Sequence, residues 1–150
     1  MTDPAADSPA AGSVVDSPVA VGPVAVVDAS AVVDAVSRID AHAIRRRLAG
    51  GRLAAPALLP FEVSHALRGL RLGGMLSAEQ SGLDLDTFDG LDIQLWPWST
   101  LAPRAWELGH NLSTYDASYV ALAEMLDAPL VTRDARLARA PGIRCRVEVF

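Results

Sequence analysis

The 150-residue sequence contains no lysine; all 13 of its basic residues are arginine. It has one cysteine, Cys145, and three histidines, His42, His65 and His110, and aromatic residues make up only 5%. Each shortage removes a class of chemistry. A single cysteine excludes an internal disulfide framework and denies a zinc site its usual thiolates. The histidines lack HExxH spacing, which points to surface or lightly packed positions, and no GxxxxGK[ST] segment exists to cradle phosphates. A phosphoacceptor receiver needs a lysine beside its aspartate, and none is available. A DxD phosphatase opening fails because Ser30 stands two residues after Asp28. No apolar run approaches the roughly 20 residues that span a bilayer. The first 22 residues are rich in Pro, Ala and Ser, carry Asp3, Asp7 and Asp16, and have no basic n-region. They read as a poor signal peptide and as a disordered extension ahead of one domain over 23–150. A reducing, cytoplasmic setting is the expectation.

Half of the sequence, 51%, is hydrophobic, enough for a packed core. Val24–Val27 is short and β-branched, the pattern of a buried parallel strand ending at Asp28. Ser30 is the expected N-cap of a helix through Ala31–Val36, and a second helix is expected over Ile39–Leu48, stopped by Gly50 and Gly51. Leu53–Ala55 reads as a short strand or a loop. Leu59, Val63, Leu67 and Leu70 follow helical spacing, with Pro60 in the first turn and Gly73-Gly74 at the end. Ser77 with Gln80, and Ser113 with Asp116, each form a capping-box pattern that opens a helix. Further strands are expected at Ile93–Trp96, Pro129–Thr132 and Arg144–Phe150, with a helix through Trp106 to Leu108 and a short one over Asp134–Ala140. The alternation predicts an α/β sandwich around a mostly parallel sheet.

Four acids stand at the ends of these elements. Asp28 and Asp134 follow strands, while Glu62 and Asp116 open helices. Ligands of open α/β sheets bind beyond the carboxyl ends of the strands, where helices also begin. Convergence there would make a pocket of oxygen ligands for hard divalent cations. Singly, Asp134 and Asp116 also fit ordinary capping roles, and Glu62 fits a first-turn acid favoured by the helix dipole. Together, four clustered carboxylates would repel one another unless a cation compensates. Ser30 and Thr132 are placed to assist these acids.

The formal charge of −5 is concentrated in part in the tail. The first 22 residues hold three acids and no base, so the remainder carries 15 acids against 13 arginines. Bound divalent ions would leave that remainder open to phosphate. Arg133, Arg136 and Arg139 lie beside the proposed pocket, and Arg45, Arg46 and Arg47 with Arg52 form a second cluster; both are candidates for gripping RNA. Trp96, Trp98 and Trp106 are expected in core or interface packing before base stacking.

VVDASAVVDAV, PFEVSHALRGL and YDASYVALAEMLDAPLVTRD together resemble a PIN domain, specifically the toxin of a VapBC toxin–antitoxin pair, over about residues 24–150. The resemblance implies a three-layer α/β/α sandwich with Asp28, Glu62, Asp116 and Asp134 as acidic ligands. It also implies one or two Mg²⁺ or Mn²⁺ ions and endonucleolytic cleavage of structured RNA, often tRNA or rRNA. A homodimer is implied, together with a small VapB-type antitoxin that inserts a segment near the active site. A nuclease-inactive scaffold that only binds RNA or protein is the competing expectation. The N-terminal extension departs from the family's compact start.

Overall fold

A computed structural model describes residues 22–150, so the reading of the preceding extension lies outside the described residues. Five strands form one sheet: β1 (Val24–Val27), β2 (Arg52–Pro56), β3 (Ile93–Trp96), β4 (Leu130–Thr132) and β5 (Val147–Val149). Their order is β3-β2-β1-β4-β5 and every pairing is parallel. Between them run α1 (Ala29–Ser37), α2 (His42–Leu48), α3 (Leu59–Leu72), α4 (Ala78–Asp89), α5 (Trp98–Leu108) and α6 (Thr114–Met125).

The strand order dictates the layers. The chain steps from β1 to β2 to β3 in one direction, then returns past β1 to β4. Right-handed crossovers therefore put α1–α4 on one face and α5–α6 on the other. The packing agrees: α1 touches α2, α3 and α4, whereas α5 packs on α6, and α6 lies on β1, β2 and β4. Connections leave β1 and β4 in opposite directions, so the topological switch point falls at their carboxyl ends.

The core joins both layers through Val26, Val27, Leu59, Val63, Leu122 and Leu130, all buried. Along α3 the apolar spacing read from the sequence buries Leu59, Val63 and Leu67. Arg104 ties the second layer together, reaching from α5 to Glu124 of α6 at 2.7 Å. Gly51 is required where the starts of β1 and β2 meet, because a Cβ there would strike the Pro23 carbonyl oxygen.

Several boundaries differ from expectation. Asp28, not Ser30, caps α1: its carboxylate accepts from the Ala31 amide at 2.9 Å, and the helix begins at Ala29. A capping group must accept from an amide in the first turn, and the Ser30 oxygen instead accepts from the Arg133 amide beyond β4. The second helix begins at His42 because Arg38 to Asp40 form a turn, leaving Ile39 on the surface. Residues 52–56 make a full strand, paired on both sides. The helix expected over Asp134–Ala140 is a single 3-10 turn, Leu137–Arg139, since the Asp134 carboxylate turns the chain by accepting from the Arg136 amide. The closing strand is only Val147–Val149, as long as its three-residue partner β4 allows. Among the described residues no helix is long and apolar enough to cross a membrane.

Leu122 is fully buried between α6 and the sheet. Leu122→Ala should lower unfolding stability by about 2–5 kcal/mol through lost burial and the cavity left behind, measured by urea denaturation.

Candidate active site

Asp28 sits at the switch point, 8% exposed, one residue beyond the register pair Val27 and Val131. Its Oδ1 accepts from the Ser30 hydroxyl at 2.6 Å and the Ala31 amide at 2.9 Å. Its Oδ2 accepts from the hydroxyl of Thr132, the last residue of β4. Each hydroxyl has one proton, and both protons point at Asp28. The 3.4 Å approach of Ser30 to Thr132 is therefore a packing contact. The hydroxyl oxygens accept in turn, Ser30 from the Arg133 amide and Thr132 from the Asp134 amide, each at 2.9 Å. Of roughly four lone-pair directions on a carboxylate, three are used, and the free one is on Oδ2.

Glu62 enters from the first turn of α3, where Pro60 provides the helix start. Its Oε2 accepts from the Tyr119 hydroxyl at 2.5 Å. Asp116 enters from the first turn of α6, its amide capped by the Ser113 hydroxyl at 3.1 Å while Oδ2 accepts from that hydroxyl at 2.8 Å. Burial pushes the Asp28 carboxyl above its ordinary value against the hydrogen bonds from Ser30, Thr132 and Ala31, and the charge of Asp116 adds to the rise. Glu62 is raised too, first by burial and then, against its Tyr119 bond, by the charges of Asp28 and Asp116. Among the described residues none of these three acids takes part in an ion pair.

The fourth acid stands apart. Asp134 shares a cavity of about 480 Å³ with Asp116 and Ser113, but its carboxylate is engaged by Arg136 at 2.6 and 3.0 Å. That guanidinium holds the Asp134 carboxyl below the usual carboxylate value. Among the described residues no three His, Cys, Asp or Glu side chains are gathered closely enough to hold one ion as they stand. In charge and donor type the set nevertheless fits a hard divalent cation, because Asp28, Glu62 and Asp116 repel one another and none of them is ion-paired among the described residues.

The arginines divide. Arg133 pairs with Asp34 at 3.4 Å, and Arg136 lies close enough to Asp116 to feel its charge. Arg45 instead turns inward and donates to the carbonyls of Ala35, Arg38 and Ile39. Arg47 is bound to Glu148 at 2.6 Å, so Arg46 is the exposed member of that triplet. Two of the three arginines expected as an RNA grip therefore serve the fold, by closing the end of α1 and by tying α2 to β5. Trp98 and Trp106 are not core residues; Trp106 is 79% exposed.

Beside Glu62 a groove of about 1000 Å³ opens between α1 and α3, lined by Val33, Phe61, Leu70, Met75 and Leu76, with Arg38 and Arg133 at its polar side. Two of the residues around these acids were not anticipated. Asp34 lies one turn beyond Ser30 on α1 and binds both Arg38 and Arg133. Tyr119 is the second; its spacing of three from Asp116 puts both on one face of α6.

A parallel sheet with acids gathered at its switch point is the arrangement of a class of metal-assisted phosphodiester hydrolases. The PIN domain family model matches residues 25–143. The chain is 46% identical over 127 residues to Ribonuclease VapC1 of Mycobacterium tuberculosis, covering 83% of this chain and 96% of that protein. It is 41% identical over 124 residues to Ribonuclease VapC9 of the same organism, with the same coverage of 83% and 96%. In fold it is similar to a chain of VapBC2 from Rickettsia felis, a structure described as bound to a DNA fragment from the promoter. The TM-score is 0.62 at 14% identity, covering 84% of this chain and 98% of that one. The protein belongs to the PIN-domain family, within its VapC branch.

The raised Glu62 carboxyl has a stability consequence. An acid whose folded pKa lies above its unfolded value contributes a cost that grows as pH rises through that interval. In EDTA at pH 7, Glu62→Gln should melt at or above the wild-type temperature. That advantage should shrink as pH falls toward the ordinary carboxyl range, because the raised wild-type carboxyl takes up its proton first in the folded state. Calorimetric melting across pH 4–7 measures both.

Proposed function

We propose that this chain is the toxin of a type II toxin–antitoxin pair and acts as a Mg²⁺- or Mn²⁺-dependent endoribonuclease on structured RNA, of the tRNA or rRNA class. The observation that carries the reading is the trio Asp28, Glu62 and Asp116, mutually repelling and without an ionic partner at the sheet's switch point. The names of the relatives VapC1 and VapC9, both ribonucleases, support it.

When bound, a divalent ion supplies Lewis-acid chemistry: it lowers the pKa of an attacking water and neutralises charge on the phosphate. Asp28 offers the free lone pair of Oδ2 to such an ion, locked in direction by Ser30 and Thr132. Glu62 and Asp116 offer Oε1 and Oδ1, the oxygens opposite those engaged by Tyr119 and Ser113. Asp134 orients Arg136 at the rim, where its planar fork suits a phosphate oxygen pair. Arg133 stands on the other side, braced by Asp34. Neither histidine nor lysine is needed as a base.

The apolar groove beside Glu62 is our proposed seat for the antitoxin. An amphipathic segment laid along Val33, Leu70 and Leu76 would end beside the acids and exclude RNA. The exposed Trp98 and Trp106 surface suits a homodimer contact. We place the protein in the cytoplasm with its RNA. A second reading, a nuclease-inactive scaffold, draws on the absence of any three converging acids among the described residues.

Purified, antitoxin-free protein should cleave total cellular RNA into discrete products with Mg²⁺ or Mn²⁺ and not with EDTA. Asp116→Asn, which keeps the Ser113 cap on the helix amide, should lose about 100-fold or more of that rate, beyond the range seen for outer-shell partners of a metal. Undiminished cleavage by Asp116→Asn would sink the assignment. No metal-dependent cleavage by well-folded protein would favour the scaffold.

A further inference from the structure

Tyr119 is 3% exposed, and its hydroxyl is buried at the junction of three elements. It comes from α6, on the same face as Asp116 and one turn further into the helix. It donates to Glu62 Oε2 of α3 at 2.5 Å, and it lies close enough to Asp28, at the start of α1, to feel that charge. A hydroxyl has one proton to give, and here it goes to the Glu62 carboxylate. The remainder of the ring fills core space beneath the acids.

The consequence concerns Glu62. A glutamate has three side-chain torsions and, exposed, would sample many positions at an entropic cost when it binds. Asp28 needs no further restraint, because the helix cap and two hydroxyls already fix it. Asp116 is short and tied to Ser113. Glu62 is the long member of the trio, and among the described residues Tyr119 donates its sole side-chain hydrogen bond. We infer that Tyr119 is a positioning residue for the acid cluster: its buried hydroxyl, donating to Glu62 Oε2 from α6, turns Oε1 of Glu62 toward the side where Asp28 and Asp116 present their free oxygens. This rests on the assignment of those acids as cation ligands.

Tyr119→Phe removes one oxygen and keeps the ring. The experiment is calorimetric titration of the full-length, antitoxin-free protein with Mn²⁺, with RNA cleavage measured as a function of Mn²⁺ concentration. Outer-shell partners of metal ligands typically contribute 10–100-fold to affinity, so Tyr119→Phe should raise the Mn²⁺ dissociation constant and the half-activating Mn²⁺ concentration by about tenfold. Saturating Mn²⁺ should restore most of the turnover. In a Glu62→Gln background the added Tyr119→Phe change should shift Mn²⁺ binding by less than about twofold, since the hydroxyl acts through that carboxylate. Wild-type Mn²⁺ affinity in Tyr119→Phe would overturn the inference alone. A tenfold loss that persists in the Glu62→Gln background would also overturn it, because the role would then be general packing. Absence of Mn²⁺ binding by the wild-type chain would overturn the ligand assignment beneath it.

Discussion

The hydrogen bonds that Asp28 accepts from Ser30, Ala31 and Thr132 are the constraint on which the site depends. They join the end of β1, the start of α1 and the end of β4 at one carboxylate. The same hydroxyls accept from the Arg133 and Asp134 amides, so the turn after β4 is held by the group that caps α1. Burying an ionised carboxylate is costly unless its lone pairs are met. Here they are met by neutral donors, which lower the cost without cancelling the charge. The acid is left short of a positive partner, a condition suited to receiving a cation.

Charge is sorted around that point. Several arginines serve other partners: Arg45 the helix-end carbonyls, Arg47 the carboxylate of Glu148, Arg104 that of Glu124. Arg133 and Arg136 remain at the rim, each held by an acid outside the trio, Asp34 and Asp134. Close negative charge at the centre with positive charge at the edge is the arrangement a cation and a phosphate would both require. Asp134, expected beside the other acids, belongs by its contacts to the rim.

Much of the fold was legible because its elements carry local signals. The β-branched run before Asp28, the 4-4-3 apolar spacing of α3 and the Ser77 and Ser113 caps all act within one turn or one strand, and all appear where the residues indicate. The errors arose where a residue's partner is distant in sequence or shared. Ser30 was expected to cap α1, yet its oxygen accepts from the Arg133 amide 103 residues away, and Asp28 takes the cap. Arg45 and Arg47 looked like a basic patch, but a run of three charges cannot reveal that one curls onto carbonyls and another meets Glu148.

By itself, the amino-acid order determined the alternation of strands and helices and set four acids at element ends, because hydrophobic period, capping and β-branching are local properties. The right-handed rule for parallel crossovers then made their gathering at one sheet edge foreseeable. Only the tertiary structure decided which acids face one another, that Asp134 is paired with Arg136, and that Tyr119 joins the site. Those outcomes depend on side-chain direction and on competition among donors for a few lone pairs, and neither is encoded in spacing along the chain.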